Sequence, residues 1–167
     1  MGRWMAVIVI FCVWGVLMGC VGCVPMNAEP LACLQKAFVA EVEGSLHGQA
    51  FTAVIEAEKT PESGTRVFTV TFYAPVGLAG TVLRRGADGA VTVSSGDVTV
   101  PLGADSGFCA LFALFPTSAQ VTGATLDQNR RTQVDFVGGS ITLLSDGTPF
   151  FITTPAATVR VVSFAAI

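Results

Sequence analysis

The sequence predicts a mainly β, antiparallel domain of about ten strands, with a short N-terminal helix and one apolar helix covering the sheet (α+β). Three observations predict it. Apolar and polar residues alternate with a period of two over a series of short segments rich in Val, Thr, Ala, Phe and Gly. Glycine-containing turns punctuate those segments. A single segment, "DSGFCALFALFP", switches to helical spacing. The chain of 167 residues is long enough for one ordinary core, and 51% hydrophobic against 13% charged residues is the composition of a folded chain, not a disordered one.

The chain opens Met-Gly-Arg-Trp and continues with an apolar run from Met5 to Met18. That run is shorter than the ~20 residues needed to cross the hydrocarbon core of a bilayer, and it suits the apolar region of a secretory signal behind a basic start. A retained short membrane anchor is the alternative, since Arg3 is the only charge before the run. Leu17-Met18-Gly19-Cys20 ends the run and resembles the bacterial lipoprotein signal, the lipobox. The resemblance implies that residues 1–19 are a signal peptide and that the Cys20 thiol is alkylated by diacylglycerol and becomes the mature first residue. It implies export to the extracytoplasmic face of a cell membrane, with the outer membrane as one option if the cell has one. Cys23 is three residues further on, but Cys20-Val21-Gly22 matches the signal less well. The rival reading of Cys20 and Cys23, a redox or zinc corner, needs a stabilised thiolate or four ligands. No second cysteine pair is present, and His47 is the chain's one histidine.

Residues 20–30, "CVGCVPMNAEP", have two prolines and little periodicity, as a lipidated tether should. The β domain is expected over 31–167. Glu29 and Pro30 are good first-turn residues, and Leu31, Leu34 and Phe38 fall at helical spacing, which predicts the short N-terminal helix. From Phe38 the period becomes two. Phe38, Ala40, Val42 and Leu46 form one buried face, and Phe51, Ala53, Ile55 and Ala57 another, with His47-Gly48 between them as a turn. Phe68, Val70 and Phe72 mark the next strand, ended by Pro75-Val76-Gly77. "GTVLRR", "AVTVSS" and "DVTVPL" follow as short strands joined through Asp88-Gly89 and Gly96-Asp97, whose glycines supply the positive φ that tight hairpins need.

In "DSGFCALFALFP", Ser106 is placed to cap a helix, Phe108, Leu111, Phe112 and Phe115 lie at i, i+3, i+4 and i+7, and Pro116 stops it. Its remaining positions are also apolar, so the helix must be covered on both sides, lie on a membrane or face an apolar cavity. The tail returns to strands in "RTQVDFVG", "SITLLS", "PFFITT" and "TVRVVSF", and Asp146-Gly147 is a strong hairpin signal.

The tether, helix, meander, apolar helix and final hairpin with "DGTPFFI" together resemble the LolA/LolB-type lipoprotein domain, loosely from Glu29 to Phe164. The likeness is strongest in "FTVTFYAPVGLAGTVLRRGADGAVTVSSGDVTVPL", while the Leu-Pro and Trp-Leu loop of LolB proper is missing. The resemblance implies an antiparallel incomplete barrel, closed by helices, whose apolar interior accepts acyl chains of lipids or lipoproteins. Phe112, Leu114 and Phe115 on the helix, with Phe72, Phe136 and Phe150 on strands, are the ligand-lining candidates; each is also a natural core residue.

The residues do not assemble a recognisable reaction centre. Neither Gly-x-Ser-x-Gly nor a Gly-x-x-x-x-Gly-Lys phosphate loop occurs, and lysines stand only at 36 and 59. The formal charge of −3 offers no basic field for nucleic acid, and Arg84-Arg85 and Arg130-Arg131 read as solvated pairs. Glu41 and Glu43 share a strand face, as do Glu56 and Glu58. If those strands pair, the four make either a small cation site or simply an exposed face. Cys33 and Cys109 read as isolated, although exported chains can bridge two of Cys23, Cys33 and Cys109. The expected protein is therefore a membrane-anchored binder or carrier of an apolar ligand, with no catalytic residues, metal or cofactor. The alternative is an assembly lipoprotein with a solid core that holds a protein partner at its sheet edge. An enzyme would require a pocket uniting His47, Cys109 and a carboxylate.

Overall fold

The structure, a computed structural model, describes residues 31–59 and 66–167. The segments expected to be a signal peptide and a tether, with Cys20, the expected lipid acceptor, and Cys23, lie outside the described residues. None of the described helices is long and apolar enough to cross a membrane.

Among the described residues eleven strands form one antiparallel sheet that is not closed into a barrel. They are β1 (Phe38–Leu46), β2 (Gln49–Lys59), β3 (Arg66–Ala74), β4 (Val82–Arg85), β5 (Val91–Ser95), β6 (Val98–Leu102), β7 (Val121–Leu126), β8 (Thr132–Phe136), β9 (Gly139–Leu143), β10 (Pro149–Thr153) and β11 (Ala157–Ala166). The spatial order is β6-β5-β4-β3-β2-β1-β11-β10-β9-β8-β7, so two meanders meet where the first and last strands pair, and β6 and β7 are the edges. The expected count of about ten omits β7. Its sequence, Val-Thr-Gly-Ala-Thr-Leu, has a glycine at its centre and no buried residue, because an edge strand needs no sustained apolar alternation.

The alternation in β1 to β3 sorts the faces as the sequence predicts. Phe38, Ala40, Val42, Phe51, Ala53, Ile55, Ala57, Phe68, Val70 and Phe72 are all buried in one continuous core, while Glu41, Glu43, Glu56 and Glu58 are exposed. The β1–β2 hairpin closes at Leu46 and Gln49, with His47 at φ 49° and Gly48 at φ 81°, the two positive angles of a type I′ turn. Gly44 continues the inward row of β1. A Cβ there would stand 2.2 Å from the Thr158 carbonyl oxygen of β11, so only glycine lets these two long strands approach.

The two expected helices are short 3-10 helices: η1 (Ala32–Gln35) and η2 (Gly107–Ala113), with a third, η3 (Ser118–Gln120). Ser106 makes no side-chain cap bond; its carbonyl accepts the Cys109 N–H at 2.9 Å, an i to i+3 bond. A three-residue period stacks side chains in rows. Leu111 and Leu114 form one buried row behind half-buried Phe108, and Phe112 and Phe115 form a second behind Cys109. The third row is Gly107, Ala110 and Ala113, with Gly107 and Ala113 exposed. The 3-10 winding thus turns an all-apolar segment into one with two buried rows and an outer row of small residues.

This segment lies in the connection between β6 and β7, which joins one edge of the sheet to the other. It passes β1 on the way: the Phe115 ring is 4.9 Å from that of Phe38, while Phe112 is 6.2 Å from Phe68 and Phe108 is 6.0 Å from Phe72 on β3.

Candidate functional site

Two cavities lie at the two ends of η2, where its rings meet the inner face of the sheet. The first, of about 370 Å³, is walled by Leu46, Phe51, Phe72, Pro75, Leu78 and Phe108, with His47, Gln49, Ala50, Ser106 and Gly107 at its margin. Its walls are almost wholly apolar, and its size falls in the range of roughly 300–1,000 Å³ typical of small-ligand sites. Gln49 shares the inward parity of Phe51 and is exposed at the hairpin end. The His47 imidazole stands over Gly107, where a Cβ would come within 2.9 Å of Nε2.

The second cavity, of about 670 Å³, has a different chemistry. Phe68, Phe112, Ala113, Phe115 and Pro116 supply apolar surface, and Lys59, Arg66 and Arg85 supply three cations. Strand parity explains how the cations come together. Counting by twos from buried Ala57, Phe68 and Leu83 places Lys59, Arg66 and Arg85 on the inner face. Lys59 lies directly opposite Arg66, and Arg85 directly opposite Phe68. The Arg85 guanidinium sits 4.8 Å from the centre of the Phe68 ring and 5.3 Å from that of Phe112, a cation–π arrangement. Arg66 donates from Nη2 to the Leu34 carbonyl of η1, and its buried Nη1 has no hydrogen-bond partner among the described residues. Burial depresses the pKa of both guanidiniums, and the charge of Arg85 lowers that of Arg66 further. Among the described residues no carboxylate lines the cavity. The sequence reading of Arg84-Arg85 as a solvated pair holds for exposed Arg84 and fails for Arg85, which the strand turns inward.

The ligand-lining candidates are distributed unevenly. Phe72 borders the apolar cavity, and Phe112 and Phe115 border the cationic one. Leu114 is fully buried beside them, and Phe136 is buried on β8 with its ring against Gly139. Phe150 stands apart. The β9–β10 register steps from Pro149 opposite Leu143 to Phe151 opposite Thr142, a bulge that takes Phe150 out of the inward line of Ile152. Its ring packs instead under the Arg131 guanidinium, 4.7 Å away.

The other chemistry-bearing residues do not converge. Glu41 opposes Val54, Glu56 opposes Val39, and Glu43 pairs with Arg160 of β11 at 2.9 Å, so no two of the four glutamates stand directly opposite each other. Among the described residues no group of three or more His, Cys, Asp or Glu is placed to hold a metal. His47 borders the apolar cavity and Cys109 the cationic one. Cys33 and Cys109 are free thiols, and desolvation raises the pKa of Cys33, whose Sγ donates to the Gly147 carbonyl at 3.2 Å.

No family model matches the chain, and no curated protein matches it. Among solved structures it is similar to MucB, at 15% identity and a TM-score of 0.52, over 84% of this chain and 57% of that one. It is also similar to an uncharacterized conserved protein from Thermus thermophilus, at 16% identity and a TM-score of 0.48, over 83% of each chain. The chain thus spans little more than half of the MucB structure, and the likeness to MucB concerns the fold alone.

Proposed function

We propose that the protein is an extracytoplasmic lipoprotein, held to its membrane through Cys20, whose β domain is a LolA/LolB-like incomplete barrel that binds or shuttles a lipid or acyl chain. In this reading it is a binder and not an enzyme, and η2 provides the cover that an unclosed barrel lacks. The observation that carries the reading is the apolar cavity between Phe72 and Phe108. Water held against such walls is unfavourable by about 25 cal/mol per Å² of apolar surface, which an acyl chain would recover. The shared fold with MucB supports the architecture and is silent on the ligand.

The test uses the full chain, purified in mild detergent and extracted with organic solvent, with the extract identified by mass spectrometry. The expected result is a retained lipid, at about one per chain for a single site, and several-fold less in Gln49→Trp, whose indole fills the cavity from the hairpin end. No retained lipid, or equal amounts in both proteins, overturns the ligand reading. The anchor is read from the intact mass: a Cys20→Ala chain that still carries the diacylglycerol would sink that assignment.

A second reading, an assembly lipoprotein that grips a protein partner by its sheet edge, is favoured by one feature. Edge strand β6 presents Val98 and Val100 to solvent, 65% and 46% exposed.

A further inference from the structure

We propose that the cavity of Lys59, Arg66 and Arg85 is the site for the anionic group, a phosphate or carboxylate, of an amphiphilic ligand whose chain lies along the apolar wall formed by Phe112, Ala113, Phe115 and Pro116. The inference rests on the reading of the protein as a binder of apolar ligands, and it names the class of that ligand.

Three features of the site carry it. First, the cations are on the wrong face for solubility. An inward arginine, with a Lys59–Arg66 pair of like charges directly opposite each other, destabilises an apolar sheet face. Nothing in the described lining offsets them: the walls are rings, backbone, a thiol and the neutral side chains of Gln35, Thr117 and Gln120. Second, hydrogen-bonding capacity is left over. Arg66 spends Nη2 on the Leu34 carbonyl and leaves Nη1 buried without a partner among the described residues, while Arg85 is fixed between two rings that accept no ordinary hydrogen bond. A guanidinium fork matches the oxygens of a phosphate or carboxylate, and pre-set forks lose little entropy on binding them. Third, the floor is aromatic. A free inorganic anion would make no use of the apolar wall, where Ala113 is exposed and Cys109 half-buried, and a neutral apolar chain would leave the three charges without a counter-charge among the described residues. An amphiphile with an anionic head satisfies both sets of groups at once.

The test compares photoreactive probes on the unaltered full chain in a nonionic detergent. One is a diazirine-bearing dodecyl phosphate, the other the same chain ending in a hydroxyl, and labelled peptides are mapped by mass spectrometry. The phosphate probe is expected to label the peptide containing Phe112 and Phe115 about tenfold more than the alcohol, as a charge-assisted contact implies. Arg66→Gln and Arg85→Gln should erase that preference, with Arg85→Lys retaining part of it. Equal labelling by the two probes overturns the anionic-head site and leaves the apolar-ligand reading standing. Labelling by neither probe overturns both. Full protection by inorganic phosphate at the probe's own concentration overturns the amphiphile and assigns the cavity to a free anion. A variant that misfolds leaves the proposal open to refutation, since the two probes are compared on the unaltered protein.

Discussion

Phe38 shows how much of this molecule depends on single rings. It is fully buried at the start of β1 and meets three others: Phe115 from the connection at 4.9 Å, Phe164 of β11 at 5.2 Å and Phe68 of β3 at 6.5 Å. Four segments distant in sequence therefore share one side chain. Phe38→Ala should cost about 3–5 kcal/mol, the sum of lost transfer free energy and an unfilled cavity. The measurement is urea unfolding followed by circular dichroism, with a lower midpoint at an unchanged slope; a loss below about 1 kcal/mol would mean the rings close over the gap. The inward position of Phe38 is legible from the alternation alone, as are those of Ala40, Val42, Ile55 and Val70. The positions of Phe150 and Arg85 are not. One bulge residue reverses parity without altering composition, and an arginine turned inward has the same letter as one turned out. Parity does place Lys59, Arg66 and Arg85 inward, but only once the strand ends and pairings that bring the three together are known.

At the scale of elements, the hairpin between β9 and β10 combines a strong sequence signal with a titratable group. Gly147 adopts φ 84°, the Thr148 carbonyl accepts from the Leu144 N–H at 2.8 Å, and the Asp146 carboxylate accepts the Thr148 N–H at 2.9 Å. Hydrogen bonds from the Thr148 backbone, then its side chain, hold the exposed Asp146 carboxyl below its ordinary value of 3.8. A depressed carboxyl pKa gives a stabilisation that is complete above the unfolded value and is lost as pH falls through the folded one. Asp146→Asn, which keeps an acceptor and removes the charge, should therefore be less stable than the parent near neutral pH. The difference in thermal midpoint should shrink below pH 3.8, and a constant difference across that window would show that the charge is not involved. The Asp-Gly pair is readable because the turn's geometry dictates its residues. The winding of η2 is less so: a seven-residue segment is too short for the periods of 3 and 3.6 to diverge, and only its packing against β1 and β3 decides between them. β7 escapes because, despite its β-branched Val121, Thr122 and Thr125, an edge strand interrupted by Gly123 carries no apolar alternation.

Among the described residues the strands form one sheet with β6 and β7 at its edges, and burial on its inner face falls off toward β6. A cross-strand row runs Ala40, Ile55, Val70, Leu83, Val93 and Val100, each directly opposite the next. The first four are fully buried, Val93 is partly covered, and Val100 at the edge is 46% exposed. The apolar row thus outruns the segment that packs on it, and Val98, on the same strand face, is more exposed still. An open edge with apolar side chains and free backbone groups is a template for another strand, although Pro101 withdraws one N–H donor from β6. Fold class and strand order within each meander can be argued from sequence, because neighbouring hairpins pair locally. The pairing of β1 with β11 and the passage of η2 between the edges depend on residues far apart in the chain, which no local pattern encodes. If β6 is a contact surface, Val98→Lys with Val100→Lys should abolish concentration-dependent association of the full chain in sedimentation velocity. Stability should move by no more than about 0.5 kcal/mol, as for exposed positions generally. The parent should sediment faster as its concentration rises, and the double variant should not. A parent that stays at one sedimentation rate throughout would show that β6 does not recruit a second copy, leaving a different protein as its only strand partner.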